Sequence, residues 1–139
     1  MNNNDKFKIV IDKSWKAFRS VIPIILSVLM VVALIQAVVP SESYKKLFSG
    51  NVLLDPLIAA IFGGLSLGNP IVSYVIGAGL LANGVGLVAV TAFIVSWVTV
   101  GVIQLPAEVF YFGKRFAIVR SATSFISAIA IGIIMGYIL

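Results

Sequence analysis

GGLSLGNPIVSY, residues 63–74, interrupts a long apolar region with a helix stop followed at once by a helix start. Gly63, Gly64 and Gly68 weaken a helix, whereas Asn69 and Pro70 are what a new one begins with: an amide that accepts a first-turn N–H, then a ring with no N–H to lose. Asp55-Pro56 has the same grammar. Together the two signals delimit segments 56–67 and 70–83, about 18 Å and about 21 Å long, both short of the roughly 30 Å of bilayer hydrocarbon. They predict a re-entrant helical hairpin that enters and leaves a membrane on one face, with an irregular tip at 64–69. A simple tight turn between two short spans is the competing reading.

The membrane setting follows from composition. The 139 residues are 60% hydrophobic and 11% charged, against roughly 45–50% apolar and about 25% charged in soluble domains. Charges gather at 5–19, 42–55 and 108–120, leaving nearly uncharged apolar runs between them. The fold class predicted is all-α, a polytopic membrane helical bundle in one domain. Cysteine and histidine are both absent, which removes disulfides, thiolate chemistry, histidine bases and the commonest transition-metal ligands. No enzyme activity, cofactor or metal site is expected. The net charge of +5 does not point to nucleic acid, because eight of the ten Lys/Arg flank the ends of expected spans. Lipid is the expected partner of those charges.

Residues 5–19 mix five basic and two acidic residues with Phe7, Ile9, Val10, Ile11, Trp15 and Phe18, the pattern of an amphipathic segment at the membrane surface. A signal peptide is the alternative, disfavoured by the length of the charged region and the lack of an A-x-A site. Residues 21–39 form the first span, about 28 Å long, with Pro23 in its first turn and Pro40 at its end. Ser41–Ser49 reads as a short surface helix capped by Ser41 and stopped by Gly50. Residues 87–112 and 116–139 are read as two long helices joined by Gly113-Lys114-Arg115, and Asn83-Gly84 as a helix end. The positive-inside rule places the N-terminus and Lys114, Arg115 and Arg120 in the cytoplasm, with Lys45 and Lys46 outside, whether the hairpin crosses twice or not at all. The expected location is therefore the cytoplasmic (inner) cell membrane.

Antiparallel helices joined at residue 113 would pair Glu108 with Arg120, Gln104 with Ser124, Gly101 with Ser127 and Trp97 with Ile131 along one seam, within an arc of about 60° on each helix. Ion pairs, amides, hydroxyls and small residues are the usual means of joining helices in lipid. Gln104, Glu108, Arg120 and Ser124 are thus candidates for a helix seam or a proton-linked role, and Gly132-x-x-x-Gly136 for a second close approach. Asp55 reads as a cap. Asn69 caps a helix N-terminus deep in the bundle, where free N–H groups and a positive dipole end suit an anion or a polar solute. Ser66, Gly68, Asn69, Pro70, Ser73 and Tyr74 are therefore the candidate substrate-binding residues. Discontinuous helices of this kind recur at the substrate sites of secondary transporters.

GNPIVSYVIGAGLLANGVG, TAFIVSWVTVGVIQLPAEVFYFGKRFAIVR and the earlier ALIQAVVPSE also resemble the YraQ/ArsP-type predicted permease family over roughly residues 20–139. The resemblance implies a multi-pass permease of the cytoplasmic membrane, and some members export organoarsenicals. It places Gly68, Asn69, Pro70, Ser73, Gln104, Pro106, Glu108 and Arg120 on family-like motif positions. The absence of cysteine departs from arsenic-exporting relatives and argues against a trivalent arsenical. The chain also resembles half of a family member. That implies an oligomer of half-size units, either homo-oligomeric or with a second unit of opposite orientation, as in inverted repeats. The expected function is a permease subunit for a small polar or anionic solute. The alternatives are a non-transporting scaffold or accessory subunit and a gate-like solute-recognition domain.

Overall fold

The computed structural model describes residues 3–38 and 40–139, apart from the side chains of residues 3–6, 35, 36, 41 and 45. All regular structure among them is helical: α1 (Asn3–Val38), α2 (Ser41–Leu47), α3 (Leu54–Leu65), α4 (Pro70–Ala82), α5 (Leu87–Thr99), α6 (Leu105–Phe112) and α7 (Lys114–Ile138). Two helices, α1 and α7, contain stretches long and apolar enough to cross a membrane. Their apolar side chains largely face outward: Leu26 is 61%, Met30 69% and Ile126 66% exposed.

The core is built on α5. Its Ala89, Val90, Phe93 and Trp97 pack with Ala59 of α3 and Val85 of the preceding loop, and the Phe93 and Trp97 rings meet edge to face at 5.5 Å. Small residues let α3 approach backbone to backbone: Gly63 lies against the Phe93 carbonyl, and Gly64 against the Ser96 and Val100 side chains. The buried Ser96 hydroxyl donates to the Ala60 carbonyl at 2.6 Å. Ala60 meets Ser96 and Gly64 meets Val100, so α3 and α5 run parallel. Gly77 of α4 sits against Val90 and Ile94. After the turn at Asn83 and Gly84, α4 and α5 are therefore antiparallel. It follows that α3 and α4 form a hairpin turning at 66–69, each arm packed mainly on α5. Val88 meets Gly132 and Gly136 at one end of α7, and Thr99 meets Arg120 near the other, so α7 is antiparallel to α5.

Several expectations change. Residues 5–19 and 21–39 are not separate segments: α1 runs unbroken through Arg19 and Ser20, because nothing there stops a helix, and Pro23 lies in its interior. The hydroxyl of Ser27 donates to the Pro23 carbonyl at 2.7 Å. At α2, Pro40 holds the cap position and Phe48 ends the helix before Gly50; the Ser41 side chain, expected as the cap, lies outside the described residues, as does Val39. The hairpin arms are 54–65 and 70–82 in place of 56–67 and 70–83. The last helix begins at Lys114.

The largest departure is in the segment 87–112, which is two helices broken at 100–104. Pro106 has no N–H for the Val102 carbonyl and its ring crowds that group, while Gly101 adopts φ +40°, which L side chains rarely do. The N–H of Leu105 turns to the Val102 carbonyl instead, at 3.3 Å.

Candidate functional site

Two interruptions, the α3–α4 turn and the α5–α6 break, meet in space. The Val102 N–H donates to the Gly64 carbonyl at 3.4 Å, and the Trp97 indole N–H reaches the Gly68 carbonyl at 3.4 Å. The α3–α4 turn thus receives both of these donors from the α5–α6 side. Gly68, at φ +142°, uses backbone that L side chains rarely adopt, and a Cβ there would make ordinary contact with the Trp97 ring at 3.5 Å. Asn69 and Gln104, the amides before the two restarting helices, are both exposed.

The start of α4 is closed to a ligand's negative charge. Asn69 Oδ1 accepts the Ile71 N–H at 3.0 Å, the Asn69 carbonyl accepts the Val72 N–H at 2.9 Å, and Pro70 has no N–H. The Ile71 and Val72 N–H groups at this end are thus already paired within the chain. The hydroxyls do not converge on the tip either. Ser66 Oγ donates back to the Phe62 carbonyl at 2.6 Å, and Ser73, fully buried, donates to Pro70 at 2.6 Å. Tyr74 is 60% exposed.

At the other interruption, Arg120 of α7 serves two helices. Its Nη1 and Nη2 donate to the Thr99 and Val100 carbonyls at 3.1 Å and 3.3 Å, satisfying the open C-terminal end of α5 where a cation also complements the dipole. Its Nε lies 2.7 Å from Glu108 Oε2 of α6, as a contact of charges without the alignment of a hydrogen bond. Both side chains are half-buried. The break at 100–104 resets the helical phase along the rest of the expected seam. Gln104 lies beside Gly101, no hydrogen bond among the described residues joins it to the half-buried Ser124, and Trp97 turns to α3 and the tip, away from Ile131. Gly132 and Gly136 do make a close approach, on Val88.

Asp55 also differs from its expected role. It lies within the first turn of α3, 5% exposed, and its two oxygens accept the Gly50 and Ser49 N–H groups at 2.8 Å and 3.1 Å, tying down the loop after α2. Asn51 Oδ1 accepts the Leu53 N–H at 3.0 Å in the turn that leads into α3, whose N-cap position, Leu53, has no side-chain cap bond. Between the hairpin arms lies an open groove of about 390 Å³ lined by Phe48, Phe62, Phe93 and Trp97, together with Ser66 and Tyr44 of α2.

The sequence reading missed Trp97, Ser96 and the carbonyls of Thr99 and Val100 as parts of this site. A signal for the second break was present: Gly101, Gln104 and Pro106 repeat the Gly68, Asn69, Pro70 grammar with wider spacing. Compared with family models, curated proteins and solved structures, the chain matches none.

Proposed function

We propose that this protein is a membrane permease subunit that passes a small solute where its two broken helices meet, acting as an oligomer of such units. In this reading α1, the α5–α6 pair and α7 cross the membrane, the α3–α4 hairpin is re-entrant, and α2 lies on the face opposite the cytoplasmic N-terminus. The helix lengths support it. The 25 residues of α7 extend about 37 Å, enough to span, whereas the 12 residues of α3 extend about 18 Å and end beside the α5–α6 break. Phe110, Tyr111 and Phe112, 83%, 75% and 67% exposed, adjoin Lys114 and Arg115 as an interfacial aromatic belt would.

The observation that carries the proposal is the pairing of the two interruptions. Non-helical backbone at membrane depth is tolerated where protein or a wet cavity surrounds it, and transporters place their substrate sites at such junctions. The resemblance to permease motifs points the same way. Since the N–H groups at α4 are already used, the solute's partners would be the Asn69 and Gln104 amides, which suit a polar solute better than an anion.

The test is stopped-flow swelling of proteoliposomes with glycerol, urea and acetate as probes. Faster swelling than in empty vesicles for at least one probe, lost in Asn69→Leu/Gln104→Leu, is expected. No probe above the empty-vesicle rate, or unchanged swelling in the variant, refutes the reading. A scaffold subunit is the second reading, favoured by the internal hydrogen bonds of Ser66 and Ser73.

A further inference from the structure

We propose that α6 is a hinged gate segment, held shut by Glu108 on a fixed post, Arg120. Its purpose rests on the permease reading; its geometry and its test do not. The helix has only eight residues and buries none of them. Gly101 and Gly113 bracket it at φ +40° and φ +87°, so both connections use backbone that glycine adopts without strain. Its main packing partner is α7. Leu105 and Val109 are half-buried, and among the described residues the polar and ring contacts to α7 are the Glu108–Arg120 ion pair and the Phe112–Phe116 contact at 5.1 Å, the second at the Gly113 hinge itself. The ion pair therefore decides whether the rest of the segment lies against α7.

Arg120 makes this arrangement different from an ordinary interhelical ion pair. Its two terminal nitrogens are bound to the Thr99 and Val100 carbonyls, so the guanidinium stays in place when Glu108 leaves. The two halves of the pair are consequently unequal. Removing the carboxylate frees α6 alone, whereas removing the guanidinium also opens the C-terminal end of α5. The N-terminal connection of α6 carries the Val102 N–H that donates to Gly64, so a swing of α6 is felt at the hairpin tip.

Hydrogen–deuterium exchange of the full chain in lipid nanodiscs tests the proposal. In Glu108→Gln, amides of 105–112 are expected to exchange about tenfold faster or more, with 93–100 and 114–138 unchanged. Glu108→Asp, which keeps the charge but shortens the reach, is expected to fall between it and the wild type. Arg120→Gln is expected to speed both 105–112 and 97–101. A flat Glu–Asp–Gln series, α5 accelerating in step with α6, or identical patterns in the Glu108 and Arg120 variants would overturn the gate. Should Glu108→Gln fail to fold, the Asp variant decides alone: 105–112 several-fold faster with α5 unmoved supports the gate, and no local change overturns it. A negative swelling assay removes the pathway and leaves this result standing; a flat exchange series with transport intact removes the gate only.

Discussion

Gly63→Ala should separate α3 from α5. The new methyl would fall on the Phe93 carbonyl oxygen, with the carbonyl carbon at 3.1 Å and Cα at 3.2 Å. These are backbone atoms of a helix, so no rotamer change relieves the overlap and the helices must move apart. Overpacking of this kind costs about 1–3 kcal/mol. The same displacement stretches the 2.6 Å Ser96–Ala60 hydrogen bond, worth about 1 kcal/mol. Against this, replacing a mid-helix glycine by alanine gains about 0.5–1 kcal/mol. The net expectation is a loss of about 1–3 kcal/mol. Gly86→Ala is the control, since a Cβ there meets nothing within 4 Å and its φ is −63°; it should lose only the difference between Gly and Ala at a helix N-cap, about 0.5–1 kcal/mol. Denaturant unfolding in mixed micelles, followed by Trp97 fluorescence in a Trp15→Phe background, reads both. A Gly63→Ala protein as stable as its parent would refute the close parallel crossing, and with it the placement of the tip at the α5–α6 break.

The remaining expectations rest on single contacts. Asp55→Ala removes two hydrogen bonds to a buried carboxylate and should cost about 2–3 kcal/mol, with the Ser49 and Gly50 amides exchanging faster. Ser96→Ala should cost about 1 kcal/mol, without changing exchange in α6. Asn69→Ala should cost about 1 kcal/mol, with fraying confined to the first turn of α4. Gly132→Ala places a methyl 2.7 Å from the Val88 carbonyl oxygen, whereas Gly136→Ala meets the Val88 side chain, which can turn away. Unfolding measurements should therefore rank Gly132→Ala as the more damaging by about 1 kcal/mol; the reverse order would contradict the α5–α7 register.

Punctuation was legible where one residue type carries it locally. Asn69-Pro70 marks the α4 start because an amide cap and a proline at the first helical position act within one turn. The Glu108–Arg120 pairing follows from a tight turn at Gly113, a short-range constraint. The α5–α6 break was not read, because Pro106 stands inside an otherwise uniform apolar pattern, and a proline in a helix can kink it as well as end it. That one omission shifted the phase of every seam position before it. Asp55 was misassigned for a related reason: a carboxylate that caps a helix and one that ties down the preceding loop have the same sequence neighbourhood, and only the fold shows its oxygens on the Ser49 and Gly50 N–H groups.

Why the chain breaks two helices side by side follows from hydrogen-bond accounting. A helix end leaves carbonyls or amides unpaired, and in hydrocarbon each costs several kcal/mol. Here the α3 end gives its Gly64 carbonyl to Val102 and the tip gives its Gly68 carbonyl to Trp97, while α5 gives Thr99 and Val100 to Arg120. The hairpin turn thus draws its donors from the α5–α6 side, whereas the end of α5 is satisfied by Arg120 of α7. Replacing Pro106 by alanine to restore a continuous α5–α6 helix would withdraw the Val102 N–H into the ladder and leave Gly64 without it. The two breaks meet as one junction, with the Asn69 and Gln104 amides exposed at its surface.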